Sequence, residues 1–173
     1  MVFHKRVATV LIVFFVATFF YACGYKFVGS GSLPSGIKRI HVAMLENHSA
    51  DTGVENVLTN DLIYEFVRSG DAVVSDRESA DAVLTGKIVS ISSGAIAHTT
   101  TDVSSQRRVT VRVDLQLIDS HGEVVWQRDG FSAEEAYEVA VNKLDTEQNR
   151  KDAIGILSKR LAEKIYGGLT EDF

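Results

Sequence analysis

From Arg107 to Ile118 the chain alternates without interruption. Val109, Val111, Val113, Leu115 and Leu117 fall on one side; Arg108, Thr110, Arg112, Asp114 and Gln116 fall on the other. Successive side chains of a strand point to opposite faces, so this run is a strand with one dry and one wet face. Both faces of a purely parallel sheet are covered, so a one-sided strand belongs to an antiparallel or mixed sheet. Its dry face then needs a second layer.

The neighbouring segments supply the rest of the sheet. Asp119-Ser120-His121-Gly122 is a tight hairpin turn, and Glu123 to Gly130, carrying Trp126, is the returning strand. Ala82 to Ala97 reads as another long strand, with a bulge or bend near Gly86 or Gly94. Upstream, Ile40, Val42 and Met44 point one way and Arg39 and His41 the other, as in a half-buried strand; Val73 and Val74 centre a short one. Asp76 to Asp81 is a polar turn, and Phe131 to Asp145 has no regular pattern.

Two helices provide the cover. Thr52-Gly53-Val54-Glu55 has the form of a capping box, and it opens a helix with Val54, Leu58, Leu62 and Phe66 on one face and Gly70 at its end. A second helix is expected from about Thr146 to Tyr166, with Ile154, Leu157, Leu161 and Ile165 as its stripe and Gly167-Gly168 as its stop. The expected fold class is α+β: a two-layer sandwich of two amphipathic helices on one face of a four- to five-stranded mixed or antiparallel sheet. Arg108 and Arg112 lie on the open face.

The other informative stretch is Phe20-Tyr21-Ala22-Cys23-Gly24-Tyr25, which holds the single cysteine. His4, Lys5 and Arg6 form a basic start, and Val7 to Phe20 has no charge, proline or glycine. That is the form of a secretory leader ending in a lipobox, where a small residue precedes a cysteine that takes lipid on sulfur and becomes the new N-terminus. Phe20 and Tyr21 depart from the usual lipobox residues. The same segment also reads as a retained anchor helix: the 16 residues Val7 to Ala22 rise ~24 Å against a hydrocarbon core of ~30 Å. In the lipobox reading residues 1–22 are the signal peptide, 23–36 a lipidated Gly- and Ser-rich tether, and 37–173 a single domain. Cys23 then carries N-acyl and S-diacylglycerol chains, enough for a stable membrane anchor.

Without Lys5 and Arg6, 16 basic residues face 23 acidic ones, a formal charge of −7. Nucleic acid is an unsuitable partner for such a surface. No metal site is expected: His4, His41, His48, His98 and His121 contain no i, i+4 pair and have no cysteine beside them. The sequence lacks a nucleophile elbow, phosphate loop and dinucleotide fingerprint. Asp61 with Glu65 and Glu134 with Glu135 read as wet helix-face or loop carboxylates, and no catalytic residue or cofactor beyond the lipid on Cys23 is assigned.

Several strings in order carry a family resemblance. They are Cys23-Gly24-Tyr25-Lys26-Phe27; Leu33-Pro34-Ser35-Gly36-Ile37-Lys38-Arg39-Ile40; Val42; Glu46-Asn47; Glu55; and Leu58-Thr59. Ala80-Asp81-Ala82-Val83-Leu84-Thr85-Gly86, Gly122-Glu123-Val124-Val125-Trp126 and Tyr137-Glu138-Val139 follow. Together they resemble LptE-type lipopolysaccharide-assembly lipoproteins over nearly the whole mature chain. The resemblance implies an outer-membrane lipoprotein on the periplasmic face that helps to fold and plug a β-barrel translocon and contacts lipopolysaccharide. Curli-secretion and penicillin-binding-protein-activator lipoproteins share much of this pattern, so a secretion-pore component or peptidoglycan-synthase activator is the alternative. A periplasmic hydrolase is the third reading. If lipopolysaccharide is the ligand, its phosphates call for guanidinium or ammonium groups. The densest such place is Arg107-Arg108 behind Thr99-Thr100-Thr101 and Ser104-Ser105, with Lys143 as a third cation for the same end. The competing expectation is that these arginines keep a strand edge soluble.

Overall fold

The computed structural model of the protein describes residues 33–96 and 106–171. The leader, Cys23 and the tether up to residue 32 lie outside the described residues, as do Ala97 and the polar stretch from His98 to Ser105. After a 3₁₀ turn at Pro34–Gly36 come β1 (Arg39–Val42), β2 (Glu46–Asn47), α1 (Val54–Ser69), β3 (Val73–Val74), β4 (Ala82–Ala95), β5 (Gln106–Asp119), β6 (Val124–Glu138) and α2 (Lys143–Glu171). The sheet order is β3-β1-β4-β5-β6, with β2 beside β4. β1 runs parallel to β3 and β4, while β4-β5-β6 is an antiparallel meander. The expected two-layer α+β sandwich is therefore present, on a mixed sheet of six strands that includes the two-residue β2.

The alternation in β5 is realised: Val109, Val111, Val113, Leu115 and Leu117 are all buried. They share one core with Leu58, Leu62 and Phe66 of α1 and with Ile154, Leu157, Leu161 and Ile165 of α2. Burying each such side chain stabilises by ~1.5–3 kcal/mol, so the stripes and the dry strand face hold the layers together.

Several expectations are corrected. Met44 is exposed, and Leu45 takes the buried place instead, its N–H donating to the buried Thr59 Oγ1 at 3.2 Å. The start of α1 is half of a capping box. Gly53, at φ 91°, is the cap, and the Glu55 carboxylate accepts its N–H at 3.0 Å. β4 shifts register between Ile88 and Ser90, so the irregularity lies at Val89 and not at either glycine.

β6 does not end at Gly130 but continues to Glu138. Between Val113 and Leu115 of β5, β6 carries the extra residue of a bulge with Gly130 at φ 72°, and Asp114 Oδ1 accepts the Gly130 N–H at 2.9 Å. α2 begins at Lys143, where Asn142 Oδ1 accepts the Leu144 N–H at 2.9 Å, and runs through Gly167-Gly168 to Glu171. Glu65 is buried on α1, its carboxylate held by the Arg68 guanidinium one turn on.

Candidate functional site

β1 pairs with β4 only at Ala82–Leu84, and β2 only at Lys87 and Ile88. Beyond Ser90, β4, β5 and β6 continue as a three-stranded arm whose last pairings are Ala95 with Arg107 and Gln106 with Glu138. The arm ends far from the Asp119 turn, since Asp119 pairs with Ala82 at the opposite end of β4.

All three candidate cations belong to this end, on two different faces. Arg107 shares the parity of Val109 and so lies on the helix-bearing side of β5, opposite Tyr137. Arg108 lies on the open face, where its Nη1 meets Glu134 Oε1 at 3.0 Å. It borders a shallow hollow of about 380 Å³ with Ser92, Gly94 and Thr110. Lys143, exposed, opens α2 shortly after β6 ends opposite Gln106. Adjacent strand residues cannot both grip one phosphate from the same side; Arg108 groups with the hydroxyls of Ser92 and Thr110, and Arg107 has the other face.

A clamp absent from the sequence reading holds the arm. Arg150 Nη1 and Nη2 donate to the two Asp51 carboxylate oxygens, each at 2.7 Å, and Nε donates to Ser93 Oγ at 3.1 Å. Forked pairing of this kind is among the stronger charge-assisted contacts. Arg150's hydrogen bonds hold the Asp51 carboxyl below its usual range, and Asp51 in turn raises Arg150. Asn47 extends the network: its amide donates to the Asp51 carbonyl and to Glu55 Oε2, both at 2.7 Å. Nothing local signals the pairing, because Asp51 and Arg150 are 99 residues apart.

The open face of the sheet is polar and largely self-neutralised. Lys87 Nζ stands 3.7 Å from Asp114 Oδ2, and Gln116 Nε2 donates to Thr85 Oγ1 at 3.4 Å. With Met44, Arg77, Gln127 and Asp129 these groups line a groove of about 440 Å³. Trp126 lies in the core, its ring centroid 6.0 Å from that of Phe131.

Comparison with known proteins gives a consistent picture. A family model described as LptE, lipopolysaccharide-assembly, matches residues 37–167. None of the curated proteins matches the chain. Among solved structures, an uncharacterized lipoprotein B from Nitrosomonas europaea is similar at 14% identity, with a TM-score of 0.54 over 86% of this chain and 92% of that one. A minor lipoprotein from Acinetobacter baumannii is similar at 18% identity, with a TM-score of 0.52 over 78% of this chain and 92% of that one. At such identities the likeness is one of fold.

Proposed function

The chain belongs to the LptE lipopolysaccharide-assembly family, and from that membership we propose that it is the lipid-anchored partner of an outer-membrane β-barrel translocon. It is an outer-membrane-associated lipoprotein of lipopolysaccharide assembly and not an enzyme. In this reading residues 1–22 are the leader, Cys23 carries the lipid and 23–36 is the tether. The domain sits within the barrel, helps it to fold, fills its lumen and meets lipopolysaccharide through Arg107, Arg108 and Lys143. The family match over residues 37–167 carries the reading. Supporting it is the open sheet face, whose ion-paired polar side chains suit the polar interior of a barrel.

Affinity capture of the tagged full-length chain from detergent extracts, with the mass of its mature N-terminus, tests this proposal. A β-barrel of lipopolysaccharide assembly is expected to co-purify, and the N-terminal residue to be acylated Cys23. Capture of a peptidoglycan synthase or secretion pore in its place transfers the reading to the alternative. A wild-type mass retaining Met1, or an unmodified Cys23, removes the lipid anchor.

A further inference from the structure

Among the described residues β6 closes one side of the sheet, since none of their strands lies beyond it in the order β3-β1-β4-β5-β6. The Ile96 N–H donates to the Gln106 carbonyl, so the even-numbered residues at this end of β5 turn their backbone polar groups toward β4. Their β6 partners, Ser132, Glu134, Ala136 and Glu138, therefore turn theirs away from the sheet. A row of outward backbone groups on an edge is a template for another strand. The opposite edge, β3, has only 2 residues and offers little to pair with.

α2 lies along this row. Lys164 Nζ donates to the Ser132 carbonyl at 3.0 Å, Arg160 Nη1 to the Glu134 carbonyl at 3.1 Å and Asn149 Nδ2 to the Glu138 carbonyl at 3.0 Å. The spacing has a geometric basis. Four helical residues rise about 6 Å and two strand residues about 6.8 Å, so donors one turn apart, such as Arg160 and Lys164, meet alternate carbonyls. Arg160 also neutralises Glu135, 2.8 Å away. No donor from α2 reaches Ala136. Ala153 and Ile156 stand there instead, bordering a groove of about 380 Å³.

We propose that α2 guards the β6 edge. Asn149, Arg160 and Lys164 occupy its carbonyls and so close a surface that otherwise pairs with the β6 edge of a second copy of this chain. A second copy is the fitting occupant because two identical edges laid antiparallel are related by a two-fold axis, which closes the assembly at a dimer.

The test is sedimentation of the full-length chain in detergent at matched concentration, in salt high enough to screen Glu134, Glu135 and Glu138. In the Asn149→Ala, Arg160→Ala, Lys164→Ala variant the association constant is expected to rise by about tenfold or more over wild type. Adding Ala136→Pro is expected to restore wild-type behaviour: that N–H faces away from β5, so proline blocks strand addition without breaking the sheet. A folded triple variant that sediments like wild type overturns the proposal. So does association that survives Ala136→Pro, because it then runs through another surface. If the triple variant does not fold, Lys164→Met alone is measured with and without Ala136→Pro, and the same two outcomes decide.

Discussion

Asp81 joins two strands through one carboxylate. Its Oδ2 accepts the backbone N–H of Arg39 at 2.8 Å and of Lys38 at 3.1 Å, and its Oδ1 accepts the Arg39 guanidinium at 2.7 Å. These bonds favour the charged form, the Arg39 side chain foremost, and hold the carboxyl at about 2 against an ordinary 3.8. A depressed carboxylate stabilises the fold above the unfolded value and stops doing so as pH falls through the folded one. Asp81→Asn is therefore expected to lower the thermal midpoint at neutral pH, the deficit shrinking as pH falls from about 4 to about 2. A deficit unchanged at pH 2 would place Asp81's contribution outside its charge. The same string explains its glycine: a Cβ on Gly86 would stand 2.4 Å from the Asp114 carbonyl oxygen and 2.6 Å from Leu115 Cδ2. Thus Ala80-Asp81-Ala82-Val83-Leu84-Thr85-Gly86, visible in the sequence as a motif, combines a strand lock, the core residue Leu84 and a place for Leu115.

At the level of elements, legibility followed periodicity. β5 and the stripe of α1 were readable because nothing interrupts their repeats. β6 was not. Its bulge at Asp129–Gly130 resets the alternation, so Trp126 and Phe131, an odd number of residues apart, both face the core. Gly167-Gly168 does not end α2, although a glycine pair signals a helix end locally, because Gly168 serves tertiary packing instead. A Cβ on Gly168 would stand 2.8 Å from Phe131 Cζ, while one on Gly155 meets nothing within 4 Å. Alanine in place of glycine gains up to ~1 kcal/mol of helix propensity, and overpacking a filled core costs ~1–3 kcal/mol. The Phe131 ring has little room to yield, being buried beside Trp126 with the Arg128 guanidinium 5.1 Å from its centroid. Gly155→Ala is therefore expected to raise stability by ~0.5–1 kcal/mol and Gly168→Ala to lower it by ~1–2 kcal/mol in denaturant unfolding. Equal shifts for both would show that α2 does not press on β6 at Gly168.

At the scale of the whole molecule, the proposed function requires an acidic domain to meet a phosphorylated glycolipid. With a formal charge of −7 on residues 23–173, attraction to phosphate has to be local, and the end of the arm is where the candidate cations gather. Their approximate place was legible from the Arg107-Arg108 pair; their division between two faces came from register, and the Arg150 clamp from tertiary contact. Arg108 is engaged with Glu134, but both side chains are about half exposed, at 48% and 55%. Such a pair is worth ~0–1 kcal/mol, so exchanging Glu134 for a phosphate costs little. Arg107 has the other face, with Lys143 at the same end. Under the proposed function, a ligand held at this tip would straddle the edge of the sheet, and the two arginines would contribute through separate phosphate contacts. Charge-assisted hydrogen bonds contribute ~1.5–3 kcal/mol each, so Arg107→Asp with Arg108→Asp is expected to weaken lipopolysaccharide binding by about tenfold or more. Each single variant should give part of that loss, because the two sites are distinct. Neither residue is in the core, so thermal unfolding and barrel capture should match wild type. Binding unchanged in the double variant, with normal unfolding and normal capture, removes the arm from ligand contact and leaves the domain's place inside the barrel as its whole role.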